Sequence, residues 1–193
     1  CIQWNINNLN IIEENIKNVY CIINLCGILF ENKSGDFFRV HTDVPAFLGK
    51  ISLKHKLNTL IHVSALGVST NSESKYSRSK AEGEKQLLEH FPNGKILRPS
   101  LLYGKGDNFF GQFSEMTKIS PFLPVISRST KFQPVFVDDV AKAIIKLLKD
   151  KKGIKTKKNL DSDQATNSYS FVGNLKRPFD TIQWLCSKTQ SSK

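Results

Sequence analysis

The sequence predicts an α/β domain built on a parallel sheet with helices on both faces. Three observations lead there. Short apolar runs alternate with stretches whose apolar residues recur at helical spacing. The run Val19 to Gly27 is almost continuously apolar, the pattern of a strand covered on both sides. A chain of 193 residues with 39% hydrophobic and 23% charged content can bury one substantial core, and that balance is ordinary for a globular protein.

The elements follow in order. Residues 6–18 place Ile6, Leu9, Ile12 and Ile16 among Asn and Glu and predict a short amphipathic helix. Val19 to Gly27 reads as a central strand, on which Cys21 and Cys26 face opposite sides. Gly27 at its end lets backbone or ligand approach closely. Glu31 to Asp43 is polar and loop-like, with Asp43 placed to cap a following helix that has Pro45 near its first turn and Ala46, Leu48 and Ile51 on its apolar side. Leu60 to Ser64 is a buried strand ending in a hydroxyl. Ser69 to Lys75 is loop, and a helix starts at Tyr76, with Tyr76, Lys80, Leu87 and Phe91 near one face. Gly83 costs helix stability relative to Ala, so close packing against a neighbour is expected there.

Ile96-Leu97 predicts another strand, which Pro99 ends because it has no N–H to give the ladder. Gly104-Lys105-Gly106 lacks a third glycine at the right offset and reads as a turn, with Arg98 and Lys105 as candidates to meet a phosphate. Phe109 to Lys118 reads as helix and Pro121 to Pro124 as a break. Gln133 to Val137 reads as a strand, followed by a helix that Asp138 or Asp139 caps. Lys149 to Lys158 is a lysine-rich linker. Residues 159–193 lose periodicity, which predicts low order. The chain therefore divides at residue 150 into an α/β domain and a basic linker with a poorly patterned tail.

The chemistry concentrates between Ser64 and Lys80. Tyr76 and Lys80 lie one helical turn apart and can point into one cleft, where an ammonium lowers a phenol's pKa toward neutrality. Such a phenol works as a general acid or base, and a serine at a strand end can hold a substrate carbonyl. One Tyr-x-x-x-Lys is common by chance in a Lys-rich chain. The pair gains weight from Ser64 twelve residues earlier and from Arg98-Pro99-Ser100-Leu101-Leu102-Tyr103-Gly104 after it.

Those three blocks, in that order, resemble the short-chain dehydrogenase/reductase superfamily in its atypical or extended branch, which includes the NAD-dependent epimerase/dehydratase type. More closely, His62 to Gly67, Lys80 to Lys85, Arg98 to Gly111 and Gln133 to Ala141 are similar to the nucleotide-binding accessory subunits of respiratory complex I and their bacterial homologues. The resemblance spans roughly residues 10–150. It implies a Rossmann-like fold, Ser64, Tyr76 and Lys80 as catalytic positions, and Asn24, Gly27, Tyr76, Lys80, Pro99 and Ser100 beside an NAD or NADP cofactor, with NADP(H) slightly favoured. It also implies complex I subunits as partners, and a cytoplasmic location with peripheral contact at the inner membrane.

Other classes are set aside on composition. Cys1, Cys21, Cys26 and Cys186 form no Cys-x-x-Cys, so neither a metal site nor a disulfide framework is expected, and a reducing compartment fits. The net charge of +11 comes from scattered lysines rather than a stripe, which argues against a specific nucleic-acid partner. Val19 to Phe30 is too short to span a bilayer. The sequence opens on Cys1 and its only methionine is Met116, as expected of a processed chain or a piece of a longer one.

A dinucleotide pyrophosphate normally rests on a Gly-rich turn after the first strand, yet the first 23 residues contain no glycine. The expected sheet therefore lacks the first strands and that turn, and cofactor affinity should be weak or absent. Three readings remain open at this level. The first is a dinucleotide-binding accessory protein, functional or relic. The second is an active NAD(P)-dependent epimerase, dehydratase or reductase that uses Tyr76 for proton transfer, Lys80 to tune it and Ser64 to bind the carbonyl. The third is a basic non-enzymatic module that binds nucleic acid or a membrane surface through Lys149 to Lys158.

Overall fold

The computed structural model describes residues 6, 8–16, 19–104 and 133–149, and the backbone of 168–171. Four parallel strands form the main sheet in the order β1 (Cys21–Asn24), β2 (Thr59–Val63), β3 (Lys95–Pro99) and β6 (Ser168–Phe171). Two shorter parallel strands, β4 (Leu102–Tyr103) and β5 (Val135–Phe136), pair beside it. The helices are α1 (Asn10–Asn15), α2 (Asp36–Phe38), α3 (Val44–Lys54), α4 (Lys75–His90) and α5 (Val137–Lys149).

The sheet is covered on both faces, because side chains alternate along each strand. Leu60 and Ile96 point to one side and join Val44, Leu48, Ile51 and Leu87 of α3 and α4. Their neighbours Ile61 and Leu97 point to the other, against Val140, Ala143 and Leu147 of α5. Lys95 ties that second layer down by donating to the Leu147 carbonyl at 2.6 Å, where the last turn of α5 leaves acceptors free.

The first helix is shorter than its pattern suggests, but Ile6, Leu9, Ile12 and Ile16 pack into the core as expected. β1 stops at Asn24, so the strand alternation does not reach Cys26. Among the described residues β1 also lies at the sheet edge rather than its centre. Ile23 is accordingly 38% exposed. Asp43 does not cap α3. Its backbone is helical and its side chain makes no capping bond, because the helical chain begins upstream at Asp36 and runs through one π-helical turn, Arg39–Asp43, into α3. The capping task falls to Glu31, whose Oε1 accepts from the Gly35 and Phe37 amides at 3.0 and 3.1 Å. Gly35 enters with a φ of 90°, a conformation that glycine adopts readily. Asp138 and Asp139 likewise sit inside the first turn of α5 rather than before it, where they still favour the positive end of the helix dipole.

β6 is the larger departure. It pairs with β3 in parallel from Ile96–Ser168 to Pro99–Phe171, so the segment after residue 150 contributes a strand to the sheet. Expectations for Cys1, Lys105 to Lys118, Pro121 to Pro124, residues 150–167 and 172–193 lie outside the described residues.

Candidate functional site

The sequence-predicted residues gather at the carboxyl ends of β1, β2 and β3, on the face covered by α3 and α4. Ligands of open parallel sheets bind at such strand ends. α4 is started by Ser74, whose Oγ accepts from the Ser77 amide. Its first turn carries Tyr76, and Lys80 follows one turn later. Lys80 is 5% exposed. Its Nζ lies 5.7 Å from the centroid of the Tyr76 ring and close enough to Gly27 that a Cβ there would stand 3.5 Å away. No carboxylate or carbonyl holds this ammonium among the described residues, and burial lowers its pKa, offset in part by the charges of Glu84 and Cys26.

This geometry corrects one expectation. Lys80 lies over the ring of Tyr76, and burial raises the phenol's pKa instead of lowering it. Ser64 follows β2 directly, with its amide bonded to the Leu97 carbonyl at 2.8 Å. Among the described residues its Oγ is buried and has no partner.

Asn24 is 2% exposed at the end of β1. Its Oδ1 accepts from the Cys26 amide at 3.0 Å, which turns Nδ2 toward His62 Nδ1 at 2.9 Å. The amide donates there, so the His62 proton sits on Nε2, which is buried without an acceptor among the described residues. Burial and the neighbouring Lys80 push the His62 pKa down to about 3, so the ring is neutral.

Pro99 and Ser100 also tie neighbouring segments together. The Pro99 carbonyl accepts from Leu66 at 2.9 Å, and the Ser100 hydroxyl donates to the Gln133 carbonyl, linking β3 to β5. Arg98 does not await a phosphate. Its guanidinium embraces buried Glu84 through Nε, at 3.0 and 3.1 Å, and through one terminal nitrogen. Among the described residues no cluster of three or more His, Cys, Asp or Glu is placed to hold a metal ion, and no helix is long and apolar enough to cross a membrane.

Sequence reading passed over His41, His62, Ser79 and Glu84. The alternation that put Leu60 inward also put His62 inward beside Asn24, a usable signal. His41 lay in a stretch read as loop and gave none.

A model of the RmlD substrate binding domain matches residues 68–171, more than half of the chain. The chain belongs to that family. It is 34% identical over 151 residues to NADH dehydrogenase (ubiquinone) 1 alpha subcomplex subunit 9, mitochondrial, of Mus musculus, an alignment covering 77% of this chain and 40% of the mouse protein. The chain thus spans about two fifths of the length of that curated relative. The NADP complex of dTDP-4-dehydrorhamnose reductase from Bacillus anthracis superposes with a TM-score of 0.70 at 17% identity, over 88% of this chain and 62% of the reductase. UDP-glucuronic acid 4-epimerase from Bacillus cereus, bound to UDP-glucuronic acid and NAD, gives 0.65 at 18% identity over 90% and 60%. The RmlD-family fold is therefore the Rossmann-like one that the resemblance implied, on the parallel α/β sheet that the strand and helix pattern predicted.

Proposed function

We propose that this RmlD-family chain carries the nicotinamide-facing part of an NAD(P)(H) site and acts by binding the dinucleotide as an accessory element of respiratory complex I. The observation that carries this reading is the Lys80 ammonium, set beside Gly27 with no acceptor among the described residues. At the same strand ends two fully buried atoms, His62 Nε2 and Ser64 Oγ, also lack partners among the described residues. Buried polar groups in folded proteins are nearly always satisfied, so these two beside Lys80 favour a place for a polar ligand. In such a site Lys80 would hold ribose hydroxyls, Gly27 would leave room above it, and Ser64 would donate to a carboxamide or carbonyl oxygen. NAD or NADP supplies hydride chemistry when bound.

The mouse relative, whose name places it in a mitochondrial NADH dehydrogenase subcomplex, supports this partner and location. The chain would sit peripherally on that assembly. A tagged chain should co-migrate with the complex on a native gel, and free migration in an extract that contains intact complex would count against the assembly.

Ser64 favours a second reading, NAD(P)-dependent turnover of a carbonyl substrate such as a nucleotide sugar, since a buried free hydroxyl is what a substrate oxygen needs. The raised Tyr76 pKa weighs for binding over turnover. Two variants separate them. Lys80→Met should weaken NADPH binding by about tenfold or more under either reading. Tyr76→Phe should abolish turnover only under the second and leave binding nearly unchanged under the first.

A further inference from the structure

We infer that His41 is a positioning residue that couples the Gly27–Ile28 loop to the turn of α4 carrying Tyr76, so that both walls of the Lys80 cleft move together. The bonds around its ring have one consistent direction. The Ile28 amide donates to His41 Nε2 at 3.0 Å, so the ring proton is on Nδ1. Nδ1 lies 3.0 Å from Ser79 Oγ and donates to it, and the Ser79 hydroxyl passes its own proton to the Tyr76 carbonyl at 2.9 Å. His41 and Ser79 are both fully enclosed.

The ring is also held by its faces. Phe37 stacks on it at 5.4 Å and Tyr76 meets it edge-on at 5.2 Å. Its backbone is fixed independently. The π-helical turn presses onto α4 where Gly83 has no side chain, since a Cβ there would stand 1.7 Å from the His41 carbonyl oxygen. Thr42 Oγ1 adds a bond to the Ser79 carbonyl at 2.8 Å. π-turns inside helices are frequent at functional sites.

A core histidine needs only to satisfy its two nitrogens. Here the two partners belong to two different segments that both flank Lys80. Ile28 adjoins Gly27, and Ser79 stands between Tyr76 and Lys80 in the sequence. Burial and the Lys80 charge lower the His41 pKa to about 4, which keeps the ring in the neutral, one-donor, one-acceptor form. A ligand that displaces Gly27 is then felt at Tyr76 without touching it. The inference rests on the dinucleotide reading for its purpose, but its geometry stands apart from any ligand.

Two substitutions divide the linkage. His41→Asn places an amide near the Nδ1 position, keeping Ser79 and releasing Ile28. His41→Gln reaches the Nε2 position, keeping Ile28 and releasing Ser79. Amide hydrogen exchange is read by NMR on the full 193-residue chain, with Leu60 and Ile96 reporting that the sheet is intact. Ile28 exchange should rise about tenfold in His41→Asn and stay near the wild-type rate in His41→Gln. Ser79→Ala, which does not touch Ile28, should raise it severalfold through His41. Unchanged Ile28 exchange in Ser79→Ala, with Leu60 and Ile96 still protected, overturns the inference whatever His41→Asn shows.

Should the His41 variants fail to fold, Ser79→Ala and the wild-type ring still decide. Nitrogen-15 shifts should report the Nδ1–H tautomer, and the Nε2–H tautomer overturns the coupling. Adding NADPH to the wild type should slow Ile28 exchange and shift the Tyr76 ring together. If NADPH does not bind, the dinucleotide reading fails while the exchange result still stands or falls alone. If NADPH binds and moves only one wall, the coupling fails and the dinucleotide reading survives.

Discussion

At the scale of single residues, the site gathers three basic groups, His41, His62 and Lys80, and keeps the two rings neutral. Both histidine pKa values lie below the ordinary 6.5, at about 4 and about 3. The unfolded chain therefore binds protons first as pH falls, so stability is complete above about 6.5 and is lost below it. Each ring contributes a slope of roughly 1.4 kcal/mol per pH unit. Urea unfolding between pH 7 and 5, above the range where most carboxylates titrate, should show the native state weakening. A flat profile there would contradict the buried neutral rings. Gly83 gives a second prediction in which two effects oppose each other. Helix propensity alone makes Gly83→Ala stabilising by about 1 kcal/mol. The new methyl would overlap the His41 carbonyl, which is backbone and cannot step aside. Overpacking costs about 1–3 kcal/mol or more, so the variant should be less stable by urea denaturation.

At the scale of elements, α4 is tied to β3 by the buried Glu84 and its Arg98 partner. Breaking one side of such a pair leaves a charge without compensation, so Arg98→Ala should cost about 3–5 kcal/mol. Replacing both residues together by Met and Leu should recover most of that loss, and a thermal-melt double-mutant cycle measures it. Equal losses in the single and double variants would show that packing, not the buried charge, dominates. This element was legible in the sequence. The four-residue spacing of Tyr76 and Lys80, the close packing expected at Gly83 and the apolar face through Leu87 all describe α4 from sequence alone. The chain from Asp36 to Asp43 was not legible. Its cap is Glu31, several residues upstream, and its π-turn breaks the 3.6-residue period that pattern reading depends on. His41 was missed with it.

At the scale of the whole molecule, the parallel sheet and its two helical layers were legible as far as β3, because β2 and β3 are apolar runs buried on both faces. By contrast, β1 read as a central strand and lies at the edge among the described residues. β6 was not legible. Its four residues, Ser-Tyr-Ser-Phe, join β3 through backbone bonds that leave little mark in a polar segment. The hydrogen bonds of Pro99 and Ser100 were not legible either, since their partners, Leu66 and Gln133, lie far away in sequence. What the fold achieves is the placement of Gly27, Ser64, Tyr76 and Lys80 at neighbouring strand ends. The most direct test of that claim is an NMR titration of the 193-residue chain with NADPH. Resonances of Gly27, Ser64, Tyr76 and Lys80 should shift together and saturate, and the response should vanish in a folded Lys80→Met variant. Saturable shifts elsewhere, no shifts at all, or an undiminished response in Lys80→Met would contradict the account.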